Sequence, residues 1–208
     1  MAASERKRPW YLLLSLLATL AFGANGARSG WSTVMLYREP IDLSIAAQGI
    51  PDEADRAAVV ARLEAYVHTL DAAKSRGWPL GVATLVLGVA TLVFAMRALG
   101  KSGAARAVLV QLVMVQAVIN AAGYFLMRDV LEAHLRVIEA TEAADIHERV
   151  PDKPRADEMS RTAVEVLRTA TPIAAALQML GSALVVVALT RRRSRDFFDA
   201  AAATVGER

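Results

Sequence analysis

The chain has 208 residues, is 55% hydrophobic and carries 24 bases and 21 acids for a net charge of +3. It has no cysteine, which excludes a disulfide framework, thiolate metal sites and thiol redox chemistry. Four stretches hold no charge, Pro9–Ala27, Gly77–Met96, Ala107–Met127 and Thr169–Thr190, each near the roughly 20 residues a helix needs to cross a bilayer core, which excludes an ordinary soluble domain.

Residues 1–8 are basic, with Arg6, Lys7 and Arg8 against Glu5. The first span, about 9–27, reads as a retained helix. The alternative is a secretory signal ending in the small residues Gly23–Ala27, but the apolar run exceeds the usual 7–15 residues of such signals. The apolar pattern continues through Trp31, Val34, Met35 and Tyr37 to Glu39 and Pro40, where proline stops the helix. Trp10, Tyr11 and Trp31 then bracket the bilayer as interfacial aromatics. Ile41–Ile50 has no period and reads as an irregular connector. A helix outside the membrane begins at Asp52, with Glu53 and Asp55 suited to its positive amino end. Its apolar stripe is Val59, Leu63, Tyr66, Val67 and Leu70. Arg76 and Gly77 are expected to close it, and Trp78-Pro79 to open the second span, about 77–96.

That span repeats a seven-residue unit, Gly81–Leu87 and Gly88–Phe94. The repeat places Gly81, Thr84, Gly88, Thr91 and Ala95 on one stripe of small residues, where helix backbones can approach. The stripe suits a partner subunit, a second copy of the chain, or packing within the chain. A short basic loop, 97–106, leads to the third span, about 107–127, which carries Gln111, Gln116 and Asn120. No Gly or Pro lies between Gly123 and Pro151, so the helix is expected to leave the membrane unbroken and run to about Ile146. Pro151–Pro154 forms the turn. A helix returns through Met159, Ala163, Val166, Leu167 and Ala170 into the fourth span, about 169–190, with Pro172 as a kink in one long helix. The fourth span holds Gln178. With the three polar residues of the third span it makes a candidate polar cavity or, more simply, interhelical glue. The tail Arg191, Arg192, Arg193 and Arg195 suits anionic lipid headgroups or serves as a plain stop-transfer flank.

Residues 1–8, 97–106 and 191–208 together hold 11 bases and 4 acids, and the long loops 28–76 and 128–168 hold 13 and 17. Bases next to span ends mark the cytoplasmic side, so both termini are expected inside and both long loops outside. Abundant Arg and Ala point to a bacterial inner membrane. The expected fold is all-α: one integral-membrane domain over 1–208, four transmembrane helices in a bundle, and an extracytoplasmic cap of outer helices packed on one another. The two halves also match at an offset of 100 residues, as in Gly23/Gly123, Arg28/Arg128 and Pro51/Pro151, which raises a duplication.

No catalytic, cofactor-binding or metal-ligating set emerges. The spans contain no Asp, Glu, Lys, Arg or His, the residues on which ion coupling and proton relays depend. His68, His134 and His147 follow no metal-ligand spacing, and no phosphate-binding loop occurs. The basic tail is too short for a nucleic-acid surface. The expected partners are the bilayer and another membrane protein or a second copy. The expected function is non-enzymatic, by protein–protein interaction, as an accessory, scaffold or assembly subunit. The alternative is a binding or transport protein using the amide cavity. An envelope-modifying enzyme would need Glu132, His134 and Glu165 to converge.

Overall fold

The computed structural model describes residues 9–39, 41, 48, 50–150 and 153–206, with no side chain described at 153, 157 and 202–206. The described residues are all-helical: α1 Trp10–Leu36, α2 Glu53–Leu99, α3 Gly103–Leu126, α4 Arg128–Arg149, α5 Lys153–Thr190 and α6 Arg192–Gly206. Four of these, α1, α2, α3 and α5, are long and apolar enough to cross a membrane. The chain therefore reads as a multi-pass membrane protein. Its residues fall into two compact units, one of 1–33, 80–122 and 177–208 and the other of 34–79 and 123–176.

The first unit holds most of the uncharged stretches together with the basic segments around Arg97–Arg106 and Arg191–Arg195. Its core joins Leu12 and Leu16 of α1, Ala95 and Ala98 of α2, Leu109 and Val113 of α3, Val185 and Leu189 of α5, and Phe197 and Phe198 of α6. Elsewhere in this unit α1 and α2 meet backbone to backbone. Gly23, Gly26 and Gly30 of α1 face Gly81, Leu85, Gly88 and Leu92 of α2, and a Cβ built on Gly26 would lie 3.3 Å from the Gly88 Cα. A Cβ on Gly88 would run into the backbone of Gly26 and Ala27. Helices in lipid gain no hydrophobic energy from association, so close backbone approach and the dispersion it allows must hold them.

The second unit holds most of the charged residues of 28–76 and 128–168. Val59, Leu63, Tyr66 and Leu70 of α2 are buried, as the stripe requires. Leu63, Tyr66, Leu70 and Ala73 pack with Tyr37 and with Val130 of α4. Asp52 caps α2, its carboxylate accepting from the N–H groups of Ala54 (2.8 Å) and Asp55 (3.1 Å).

Several boundaries differ from the sequence expectations. α1 ends at Leu36, short of Glu39, with the N–H groups of Arg38 and Glu39 both bonded to the Met35 carbonyl at 2.9 Å. Pro40, most of the 41–50 connector and the Pro151-Asp152 turn lie outside the described residues. The expected division of α2 at Gly77 is absent: one helix of 47 residues runs through Gly77 and carries Pro79 inside it. Gly77 is not a cap. The Tyr37 ring lies against its backbone, where any Cβ would collide with the Tyr37 hydroxyl. Pro79 costs one hydrogen bond, a loss that a long packed helix absorbs.

The third helix, expected to be unbroken, is interrupted at Met127 (φ −108°, ψ 19°), where the uncharged stretch ends. The flanking bonds Met127 N–H to Gly123 and Leu131 N–H to Met127, both 2.9 Å, keep the interruption to one residue. α5 runs through Pro172 as one helix, as the expectation of a single long helix requires. In the amino-terminal part of α5 the expected apolar stripe is left largely uncovered: Met159 is 47% and Val166 63% exposed. The tail, read only as a basic flank, forms α6. The halves diverge over 37–49, where the described residues are non-helical, against 137–149, which are helical.

The α1–α2 contact gives a direct test. Gly88→Val is expected to destabilise the purified protein by about 2 kcal/mol, because the overpacked helices must separate. Val89→Leu, at a 48% exposed neighbour, is expected to change stability by less than about 0.5 kcal/mol. Denaturant unfolding in micelles followed by circular dichroism checks both, and equal effects would contradict the contact.

Candidate functional site

The small-residue stripe of α2 is occupied within the chain. Gly81, Gly88, Thr91 and Ala95 are buried and Thr84 half-buried, and the glycines lie against α1. The Thr84 hydroxyl donates to its own helix at the Leu80 carbonyl, 2.8 Å. The complementary glycines of α1 are the residues sequence reasoning missed. Their spacing, Gly23, Gly26 and Gly30, was the available signal, but Gly23 and Gly26 also fit a cleavage-site composition.

The four amides do not form one lining. Gln116 is buried, Asn120 and Gln178 are half-buried, and Gln111 is exposed. Gln116 accepts from the Thr91 hydroxyl at 3.2 Å and donates to the Phe22 carbonyl at 3.4 Å, tying α3 to α2 and α1. A Cβ on Gly26 would strike the Gln116 amide, so the glycine makes room for the bond as well as for the helix. Such a bond is worth about 1 kcal/mol in lipid. Gln111 lies five positions from Gln116, on a different face of the helix.

The arginine group sits on α6 and the residue before it. Arg191 stacks over the Tyr11 ring at 5.6 Å, and Arg192, Arg193 and Arg195 are exposed. The helix is held by its apolar side, since Phe198 is fully buried and Phe197 is 6% exposed. Arg106 bridges to it, donating to the Leu189 carbonyl at 3.0 Å with its guanidinium 5.9 Å from the Phe198 ring centre.

In the second unit several charged side chains are paired. Arg76 bonds Asp129, and Arg168 bonds Glu139 at 2.7 Å. His147 meets Asp55 at 3.2 Å. Glu132 is taken up by Arg136 at 2.8 Å, the His134 ring lies 5.3 Å from that of Tyr66, and Glu165 is exposed on α5. Among the described residues no group of three or more His, Asp or Glu could hold a metal ion.

An open cavity of about 440 Å³ lies at the surface beside the end of α1, lined by buried Tyr37 and by exposed Arg38, Lys74, Ser75, Trp78 and Pro79. The tight turn after Met35 brings Tyr37 and Arg38 to one wall. Lys74, Ser75, Trp78 and Pro79, at i, i+1, i+4 and i+5 of α2, form the other. Tyr37 is 7% exposed, and among the described residues its buried hydroxyl has no hydrogen-bond partner. Burial, then Tyr66, push its pKa up, with Asp129 adding and Arg76 opposing; burial does the same for Tyr66. The chain matches no protein-family description, no curated protein and no solved structure.

Tyr37→Phe removes a buried hydroxyl that has no hydrogen-bond partner among the described residues, so at neutral pH it is expected to stabilise the protein by about 1 kcal/mol. Both tyrosines hold their protons more tightly folded than unfolded. Their contribution is thus complete below pH 10.0, the ordinary tyrosine value, and is lost as pH rises above it through the raised folded values. Unfolding midpoints across pH 8 to 12 are expected to fall less steeply in the Tyr37→Phe, Tyr66→Phe double variant.

Proposed function

We propose that the chain is a non-enzymatic membrane protein acting by protein–protein interaction, as an accessory, scaffold or assembly subunit. In this proposal it resides in a bacterial inner membrane, with both termini cytoplasmic and 28–76 and 128–168 extracytoplasmic. The bases concentrated at 1–8, 97–106 and 191–208 support that orientation.

One observation carries the interaction reading. Met159, Ala163, Val166 and Ala170 share a stripe of α5, yet Met159 and Val166 are 47% and 63% exposed. The flanking residues Arg155, Glu158, Arg161, Glu165 and Arg168 are charged and belong in water, not in hydrocarbon. An apolar stripe with a polar rim in water marks a surface that a partner covers. The carrier alternative loses its support, because Gln116 is spent on interhelical bonding and Gln111 faces outward.

A photo-crosslinking side chain placed at Val166, in native membranes, is expected to capture one discrete protein. The same side chain at Val86, 59% exposed in the second span, is expected to label lipid. Absence of any protein adduct at Val166, with the chain running as a monomer, would remove the proposal.

A further inference from the structure

The cavity beside Tyr37 has a composition that points to a ligand. Two of its lining side chains, Arg38 and Lys74, are cationic and exposed. Neighbouring Arg76 is neutralised by Asp129, whereas Arg38 and Lys74 have no ion pair among the described residues. Both can turn donors toward an anion in the cavity. Its volume of about 440 Å³ lies within the roughly 300–1,000 Å³ of small-ligand sites.

Ser75, on the same wall as Lys74, supplies acceptors. Pro79 has no N–H, so the carbonyl four residues earlier, that of Ser75, lacks its helical donor. Ser75 lines the cavity beside Trp78 and Pro79. The cavity thus offers a cationic donor from each wall, Arg38 and Lys74, acceptors at Ser75, and an indole and a proline ring as an apolar shelf. Glu39 and Asp71 adjoin Arg38 and Lys74 in sequence without lining the cavity, so the neighbourhood as a whole is nearly neutral. That balance suits a group carrying both a negative charge and a donor better than a polyanion.

Depth selects among such groups. Lys74 and Arg76 are the last charges before the uncharged stretch Gly77–Met96. Trp78 is 44% exposed, as an interfacial tryptophan is. The cavity therefore opens at the level where α2 passes from water into hydrocarbon, and the molecules present there are lipid headgroups.

We propose that the cavity formed by Tyr37, Arg38, Lys74, Ser75, Trp78 and Pro79 binds a phospholipid headgroup that carries a hydrogen-bond donor beside its phosphate. The phosphate lies between Arg38 and Lys74. The donor, an ammonium or hydroxyl, bonds the Ser75 carbonyl, and the glycerol end rests on Trp78 and Pro79. This site is independent of the α5 stripe, so either can fail without the other.

The test uses the full chain purified in detergent, with phosphatidylethanolamine, phosphatidylcholine of the same acyl chains, and inorganic phosphate as probes. Native mass spectrometry and thermal unfolding are the readouts. Phosphatidylethanolamine is expected to be retained and to raise the unfolding temperature. Phosphatidylcholine, which has no donor, is expected to bind about tenfold more weakly, in keeping with the loss of one charge-assisted bond. Phosphate alone is expected to have no effect. The Arg38→Gln, Lys74→Gln double variant is expected to lose at least about tenfold in phosphatidylethanolamine affinity while keeping the lipid-free unfolding temperature, since both residues are exposed. Equal binding of the two lipids, an equal effect of free phosphate, or undiminished binding by the double variant would each overturn the proposal.

Discussion

Hydrocarbon offers a polypeptide neither a counter-ion nor a hydrogen-bond partner, and this constraint underlies the rest of the structure. Backbone groups in the spans can be satisfied only along a helix, which is why the uncharged stretches are helical throughout. Several polar side chains of the spans find partners between or along the helices. The Gln116 amide finds the Thr91 hydroxyl and the Phe22 carbonyl, and serine and threonine hydroxyls bond back along their own helices, as Ser15 does to Tyr11 and Ser182 to Gln178. Without a hydrophobic force to join helices, α1 and α2 associate by removing side chains from their contact. Six positions, Gly23, Gly26 and Gly30 against Gly81, Leu85 and Gly88, bring the backbones together.

Where charge returns, the rules of aqueous packing return with it. α2 buries Val59, Leu63, Tyr66 and Leu70, and α4 supplies Val130 and the ion-pair partner of Arg76. Exposed pairs such as Arg136 with Glu132 add little to stability. Their role is to make the surface water-compatible, which throws the uncovered Met159–Val166 stripe of α5 into relief. Tyr37 shows how the two solvents meet: it follows the end of a span helix, packs in the aqueous core, and needs a glycine beneath it.

Much of the fold is legible in the sequence because absence of charge over about 20 residues has one physical meaning. Span positions, the Asp52 cap and the α2 stripe follow from local chemistry. What was illegible depends on contacts between distant residues. Gly77 and Pro79 carry the marks of a helix end, yet the glycine serves Tyr37, forty positions earlier in the chain, and the proline is tolerated in mid-helix. Met127 breaks α3 from α4 in a conformation open to any residue, so no sequence mark exists. Phe197 and Phe198 are buried only because α6 turns back onto the core, which composition cannot show. Of the candidate site residues, the stripe of α2 was visible, but its destination on α1 was not. The dispersal of the amides follows from helical phase for Gln111 and from tertiary packing for Gln178.

The orientation proposed above makes lipid the solvent of the spans and puts the charged helices and the tail on opposite sides of it. Because the chain has no cysteine, single cysteines report without background. Thr141→Cys on α4, Ala200→Cys on α6 and Val89→Cys in the second span are all at exposed positions. With a membrane-impermeant maleimide on intact bacterial cells, position 141 should label at once, position 200 only after permeabilisation, and position 89 under neither condition. Labelling of 141 and 200 from the same side, or ready labelling of 89, would contradict the account.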